Sequence, residues 1–251
     1  MAFLGVAAAS VVAVLLGLSN SVRPVEVQEL FEKLPSSVRA LVGMDEGAMF
    51  DLSGWVGLVH NHPVWLVAIL SFPLASGLRG IASGVDDGTL ELVLTQPFGR
   101  STYYLALAAL MGLGTTWILA CSLLGGLFAR SVVTLPEELP ISTLLQFSAS
   151  GWALALSVAG ISLLVSVVSA GGGRPGSTAI GIVVGMFFLR FLSDIVPGAS
   201  WLRWVSVFGY HGSRQLVREG LAAEQFLALL TVALVCTAIG LWAFRRKQLT
   251  F

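Results

Sequence analysis

Charge is what this 251-residue chain has least of: 11% of its residues are Asp, Glu, Lys or Arg, against about 25% in a soluble domain. Lys and Arg number 14, Asp and Glu also 14, so the formal net charge is zero. Without a basic surplus there is no electrostatic footprint for nucleic acid, and no nucleic-acid partner is expected. Without net charge, and with 56% hydrophobic residues, the chain does not have the composition of a disordered one. Cysteine is scarce as well. Cys121 and Cys236 both fall in apolar runs, where free thiols behave as small hydrophobes and imply no disulfide framework. Also missing is any Ser-His-Asp or Cys-His arrangement set by spacing, so no catalytic residue is expected.

What is present is apolar sequence in long gaps between charges. The gaps are Ala2–Val22, Leu52–Leu78, Ser101–Ala129, Leu139–Gly173, Pro175–Leu189 (continuing through Arg190 and Asp194 to Val196) and Gln225–Phe244. At about 1.5 Å per residue, each can hold a helix across a hydrocarbon core about 30 Å thick. Leu105–Leu127 and Leu154–Ser169 lack the period-2 alternation of an outer-membrane barrel. The chain therefore reads as an all-α membrane protein, a bundle of six helices in one domain over residues 1–251. The expected spans are 2–20, 56–80, 101–128, 144–169, 176–196 and 225–244. No Lys or Arg precedes Arg23, so Met1–Ser19 reads as a first membrane helix rather than a signal peptide.

Arg245, Arg246 and Lys247 follow the last span, and clustered basic residues stay cytoplasmic. With six spans, both termini are then cytoplasmic, in a cell's inner (plasma) membrane. On the outer side, Val27, Leu30, Phe31 and Leu34 recur at helical spacing after Pro24, which predicts an amphipathic helix at the surface. Trp201, Trp204, Phe208 and Tyr210 suit short helices dipping into the outer leaflet before the last span.

Several motifs have ordinary readings. Gly171–Thr178 approaches a phosphate loop, but Ser177 stands where the lysine must be, so the chain has no ATPase site of its own. His60, His62 and His211 read as interfacial polar residues, and no third ligand completes a metal site. Arg190 and Asp194 are four apart on one helix face. They form a possible intramembrane ion pair, either beside a translocation path or subunit contact, or as a snorkelling arginine pinned by its aspartate. Gly181-x-x-x-Gly185 permits close helix packing.

The most informative stretch is Gly84–Arg100, between the second and third spans. Asp86, Asp87 and Glu91 sit beside Leu90, Leu92, Val93 and Leu94. Gly88 and Thr89 can start a helix with the acids near its positive end, and Pro97 ends it. An acidic, apolar-faced connector is a poor lipid binder, so a protein partner is expected.

Asp87, Gly88-Thr89-Leu90-Glu91, Leu92–Leu94 and Pro97-Phe-Gly-Arg100 resemble the connector of permease subunits of ATP-binding-cassette exporters of the type-2 class, the drug- and polysaccharide-exporter-like group. Phe244-Arg245-Arg246-Lys247-Gln248-Leu249 and Ser206-Val-Phe-Gly-Tyr210 are similar to that family's chain ending and to its segment before the last span. The resemblance implies that the connector is a cytoplasmic coupling helix seated in a groove of a separate ATPase subunit. Its contact residues would be Asp86, Asp87, Gly88, Thr89, Glu91, Pro97 and Arg100. It further implies a second permease copy or paralogue and a surround of membrane lipid. This chain itself would bind no cofactor, with ATP and magnesium on the partner. Competing classes are a lipid-handling membrane enzyme, a membrane anchor for a regulatory ATPase, and a secondary transporter. The last should show an internal repeat, and none is visible.

Overall fold

A backbone inside hydrocarbon must satisfy its own hydrogen bonds, and a helix does so within one segment. The computed structural model describes residues 2–18, 52–97, 99–132, 139–170, 174–211, 216 and 220–247, and all their regular structure is helical. The elements are α1 (Ala2–Leu18), α2 (Leu52–Asn61) and α3 (Pro63–Leu78), which runs on through a π-turn (Arg79–Ser83) and one more turn (Gly84–Asp86). Then come α4 (Thr89–Leu94), α5 (Arg100–Val132), α6 (Ile141–Ser169), α7 (Pro175–Ile195), α8 (Leu202–Val205) with a 3-10 turn (Val207–Gly209), and α9 (Ala223–Arg246).

Five stretches are long and apolar enough to cross a membrane: Pro63–Asp86, α5, α6, α7 and α9. α1 is equally apolar but has 17 residues. The expected second span, 56–80, is the one that changes. The helix breaks at His62, which is extended (φ −65°, ψ 132°) and caps α3 by accepting from the Val64 N–H at 3.3 Å. Pro63 follows at the first helical position, where its missing N–H does no harm. The membrane-length helix therefore begins seven residues later than expected and runs on to Asp86. The amphipathic helix expected over 24–34 lies outside the described residues, as do Gly171–Gly173.

α6 is the hub. Of its most apolar window 78% is buried, against 33% in α5, 17% in α9 and 11% in α7. α9, α5, α3 and α7 all pack on it, while α1 lies against α5 and α3. Small residues make this possible: a β-carbon at Gly160 would stand 2.7 Å from the Ala233 carbonyl of α9. Buried serines on α6 donate outward to neighbouring backbones, Ser157 to Leu229 O at 2.7 Å and Ser162 to Pro73 O at 3.1 Å. The exterior is the reverse of a soluble protein's, with Leu113, Phe128, Val184 and Leu234 exposed.

Two apolar clusters result. The larger includes Val12, Val56, Trp65, Ile118, Phe147, Leu154 and Leu229. The smaller includes Ile81, Leu90, Tyr104, Met111, Leu163, Val167 and Phe244, and the connector sits on it.

Candidate functional site

The connector is built from a broken helix. Asp87 N–H still donates to Ser83 O at 2.8 Å, but Gly88 takes φ +70°, a left-handed conformation that glycine adopts without strain. That single residue turns the chain so that α4 starts at Thr89, whose hydroxyl donates back to Gly84 O at 3.4 Å. Leu90 is buried in the smaller cluster and holds α4 down. Val85 is buried beside it in the same cluster, and the polar residues of the connector face outward. Asp86, Asp87, Thr89, Glu91 and Pro97 are exposed, and so are the apolar Leu92 and Val93. The expected site residues thus form one acidic surface with an apolar centre.

Arg100 is the exception. Its guanidinium donates to the Lys247 carbonyl at 2.6 Å, joining the start of α5 to the end of α9. Lys247 in turn donates its ammonium to Val167 O at 2.6 Å and Val168 O at 2.9 Å, carbonyls of the last turn of α6. A cation on a helix C-terminus is favourable, because the last carbonyls lack helical partners. The Tyr103 hydroxyl donates to Gly80 O inside the π-turn. Sequence reasoning missed Lys247 and Tyr103 as fasteners, since which backbones they reach depends on helix packing.

On α7, Arg190 and Asp194 do form the i,i+4 ion pair, with side chains 16% and 25% exposed. Arg190 also reaches Ser193 Oγ at 3.4 Å. Gly181 and Gly185 are exposed and meet no other part of the described chain. Ser177 and Thr178, from the phosphate-loop-like stretch, merely donate to Arg174 O in the first turn of α7.

The opposite end holds a group that the sequence did not reveal. His60 and His211, 151 positions apart, are both buried. His60 Nδ1 lies 2.9 Å from Val56 O and His211 Nε2 lies 3.4 Å from His60 O. Each of these nitrogens must carry its proton, because a carbonyl only accepts. His211 Nδ1 is then free to accept from Ser150 Oγ at 3.0 Å. The Trp65 ring stacks on His211 and donates its indole N–H to Ser122 Oγ at 2.9 Å, while Phe147 stacks on His60. Burial pushes both imidazoles down to about 4, with the Arg190 charge adding to the effect at His211 and His211 itself at His60. Both are neutral, buried structural groups. Among the described residues, no cluster of three or more His, Cys, Asp or Glu could hold a metal.

An apolar exterior, membrane-length helices and a hub helix define a polytopic membrane protein. Residues 1–245 match the family described as "Multidrug efflux system permease Rv1217c, C-terminal domain", and the chain belongs to that family. It is therefore a multi-pass membrane permease of an efflux system, by family a transport component. No curated protein matches the chain.

Proposed function

We propose that the chain is the membrane-spanning subunit of an ATP-binding-cassette exporter of the type-2 class. It would form the translocation path and be driven by a separate ATPase subunit that binds ATP and magnesium. In this reading α1 supplies a sixth span, both termini and the connector are cytoplasmic, and the membrane is the plasma membrane. The family's description is of one domain of a permease, which favours a second copy or paralogue as the other half of the working unit.

One observation carries the proposal. Leu90 anchors α4 in the bundle, while Leu92 and Val93 stand exposed among Asp86, Asp87 and Glu91. Exposed apolar side chains ringed by acids make a small knob for a protein groove with an apolar floor and a basic rim. Gly88 and Thr89 shape that knob and Pro97 closes it. Arg100 contributes from beneath by holding α5 to α9, so its part is to set the connector's base. A membrane enzyme or an ATPase anchor would have no need of a connector fastened to the hub helix.

The test is co-purification from membranes with the ATP-binding-cassette ATPase. Reversal of Asp87 and Glu91 together to lysine is expected to abolish recovery of the ATPase without lowering permease yield, since both side chains are exposed. Unchanged recovery and unchanged ATP hydrolysis would remove the connector from the interface.

A further inference from the structure

The segment joining α3 to the connector is neither a straight helix nor a loose hinge. In an uninterrupted α-helix the Ala82 N–H would donate to Leu78 O, four residues back. Here the chain forms a π-turn over Arg79–Ser83, and the Ser166 hydroxyl of α6 occupies the gap. Ser166 Oγ accepts from the Ala82 N–H at 2.9 Å and donates to Leu78 O at 3.4 Å. One side chain thus replaces a main-chain hydrogen bond by a bridge through a different helix. Ser166 and Ala82 are both fully buried, so water cannot take over the bond to the Ala82 N–H.

Two neighbours make the close approach possible and reinforce it. Gly77 faces Ser162 Oγ and Gly80 faces the Leu107 side chain, and a β-carbon at either glycine would overlap its neighbour. Tyr103 of α5 holds Gly80 O from the other side. The π-turn is therefore gripped by α6 and α5 within a few residues of the exposed acids.

Resting on the coupling reading above, the geometry points to Ser166 as the positioning residue through which connector movement enters the bundle. A push on α4 turns or translates Gly84–Asp86, and the clasped π-turn passes that displacement to α6, on which α9, α5 and α7 pack. With the clasp removed, the Ala82 N–H and Leu78 O lose their bridging partner and the π-turn is no longer tied to α6. The turn then flexes independently of α6, and connector motion is absorbed locally.

The test is hydrogen exchange on the permease–ATPase complex in nanodiscs, with and without ATP plus vanadate. In the wild type, the ATPase protects residues 84–97, and trapping ATP changes exchange in the last turns of α6. Ser166→Ala is expected to leave connector protection intact and abolish the α6 response, with the Ala82 amide exchanging about tenfold faster in the permease alone. Ser166→Thr, which keeps the hydroxyl, should restore both. Should Ser166→Ala fail to fold, Tyr103→Phe removes the second clasp without opening a cavity and should weaken the α6 response several-fold. An α6 response that is missing in the wild type, or that survives in these variants, would overturn the inference. Absence of connector protection in the wild type would instead count against the coupling reading, and Ala82 exchange would still decide whether the clasp exists.

Discussion

The two ends of this bundle are built by different means. At the α2 end, polar groups bond mainly to one another or to local carbonyls: His211 to Ser150, Trp65 to Ser122, with rings stacked between them. At the connector end, polar side chains reach the backbones of other helices: Ser166 to the π-turn, Tyr103 to Gly80, Arg100 to Lys247, and Lys247 to the last carbonyls of α6. A stacked, buried network resists any change of spacing, because each ring fills space that nothing else can fill. Side chain–main chain ties at helix ends hold the ends together yet let whole helices move as units. The first arrangement suits a fixed frame and the second a moving joint.

The comparison can be broken most severely along α1, which contributes Ala8, Val12 and Leu16 to the larger cluster and nothing to the smaller. A β-carbon at Gly125 would stand 2.6 Å from Ala9 Cα, so Gly125→Val must drive α1 off α5. The expected loss is about 3–5 kcal/mol, read as a large fall in thermal midpoint in detergent. Exchange should rise around Trp65 and Phe147 while Leu90 and Ala82 stay protected for longer. Equal loss of protection at both ends would show that the two clusters unfold as one.

That division was only partly legible in the sequence. Gaps between charges located the long helices, because in a chain this poor in charge most charged residues mark a loop or helix end, Arg79 and Arg190 being exceptions. The connector's turn was also readable, since Gly88 followed by Thr89 and acids is local chemistry. Pro63 carried a helix-start signal that went unread, because the uncharged run took the expected span 56–80 straight across the break at His62. The Arg190–Asp194 pair followed from spacing alone. What stayed hidden was everything made by packing across the chain. The serines of α6 look like small filler until one knows which backbone each faces. His60 and His211 are isolated in sequence, and only the fold makes them neighbours. A π-turn leaves no periodic mark in a segment that is apolar nearly all round.

Acid should sharpen the contrast with a middling effect. The imidazoles of His60 and His211 fall from an ordinary 6.5 to about 4 on burial. The unfolded chain therefore binds more protons than the folded one between those values, and stability rises with pH in that window. The contribution is complete above pH 6.5 and is lost as pH falls toward 4. It amounts to about 3 kcal/mol for one imidazole, and less than twice that for the coupled pair. The thermal midpoint should drop steeply between pH 6.5 and 4, and exchange should rise first at the α2 end. His211→Asn should flatten that slope. An unchanged slope would mean that the buried pair does not control acid stability.

The smallest effect belongs to Lys247, and it tests the other end alone. Its ammonium satisfies Val167 O and Val168 O, but the side chain is partly exposed, so water can replace much of what is lost. Lys247→Met removes a cation from the C-terminus of α6 while preserving the main-chain carbonyl that Arg100 uses. A loss of about 0.3–1 kcal/mol is expected, screened further by salt. Exchange should quicken in the last turn of α6 and around the start of α5, with His60 and Trp65 unaffected. Because the joint is made of several such ties, losing one should loosen the connector's seat without detaching it, and on the proposed coupling ATP-driven change in α6 should weaken before ATPase binding does. If ATPase binding failed first, Lys247 would belong to the docking surface, and the end of α9 would have to be counted among the contacts with the partner.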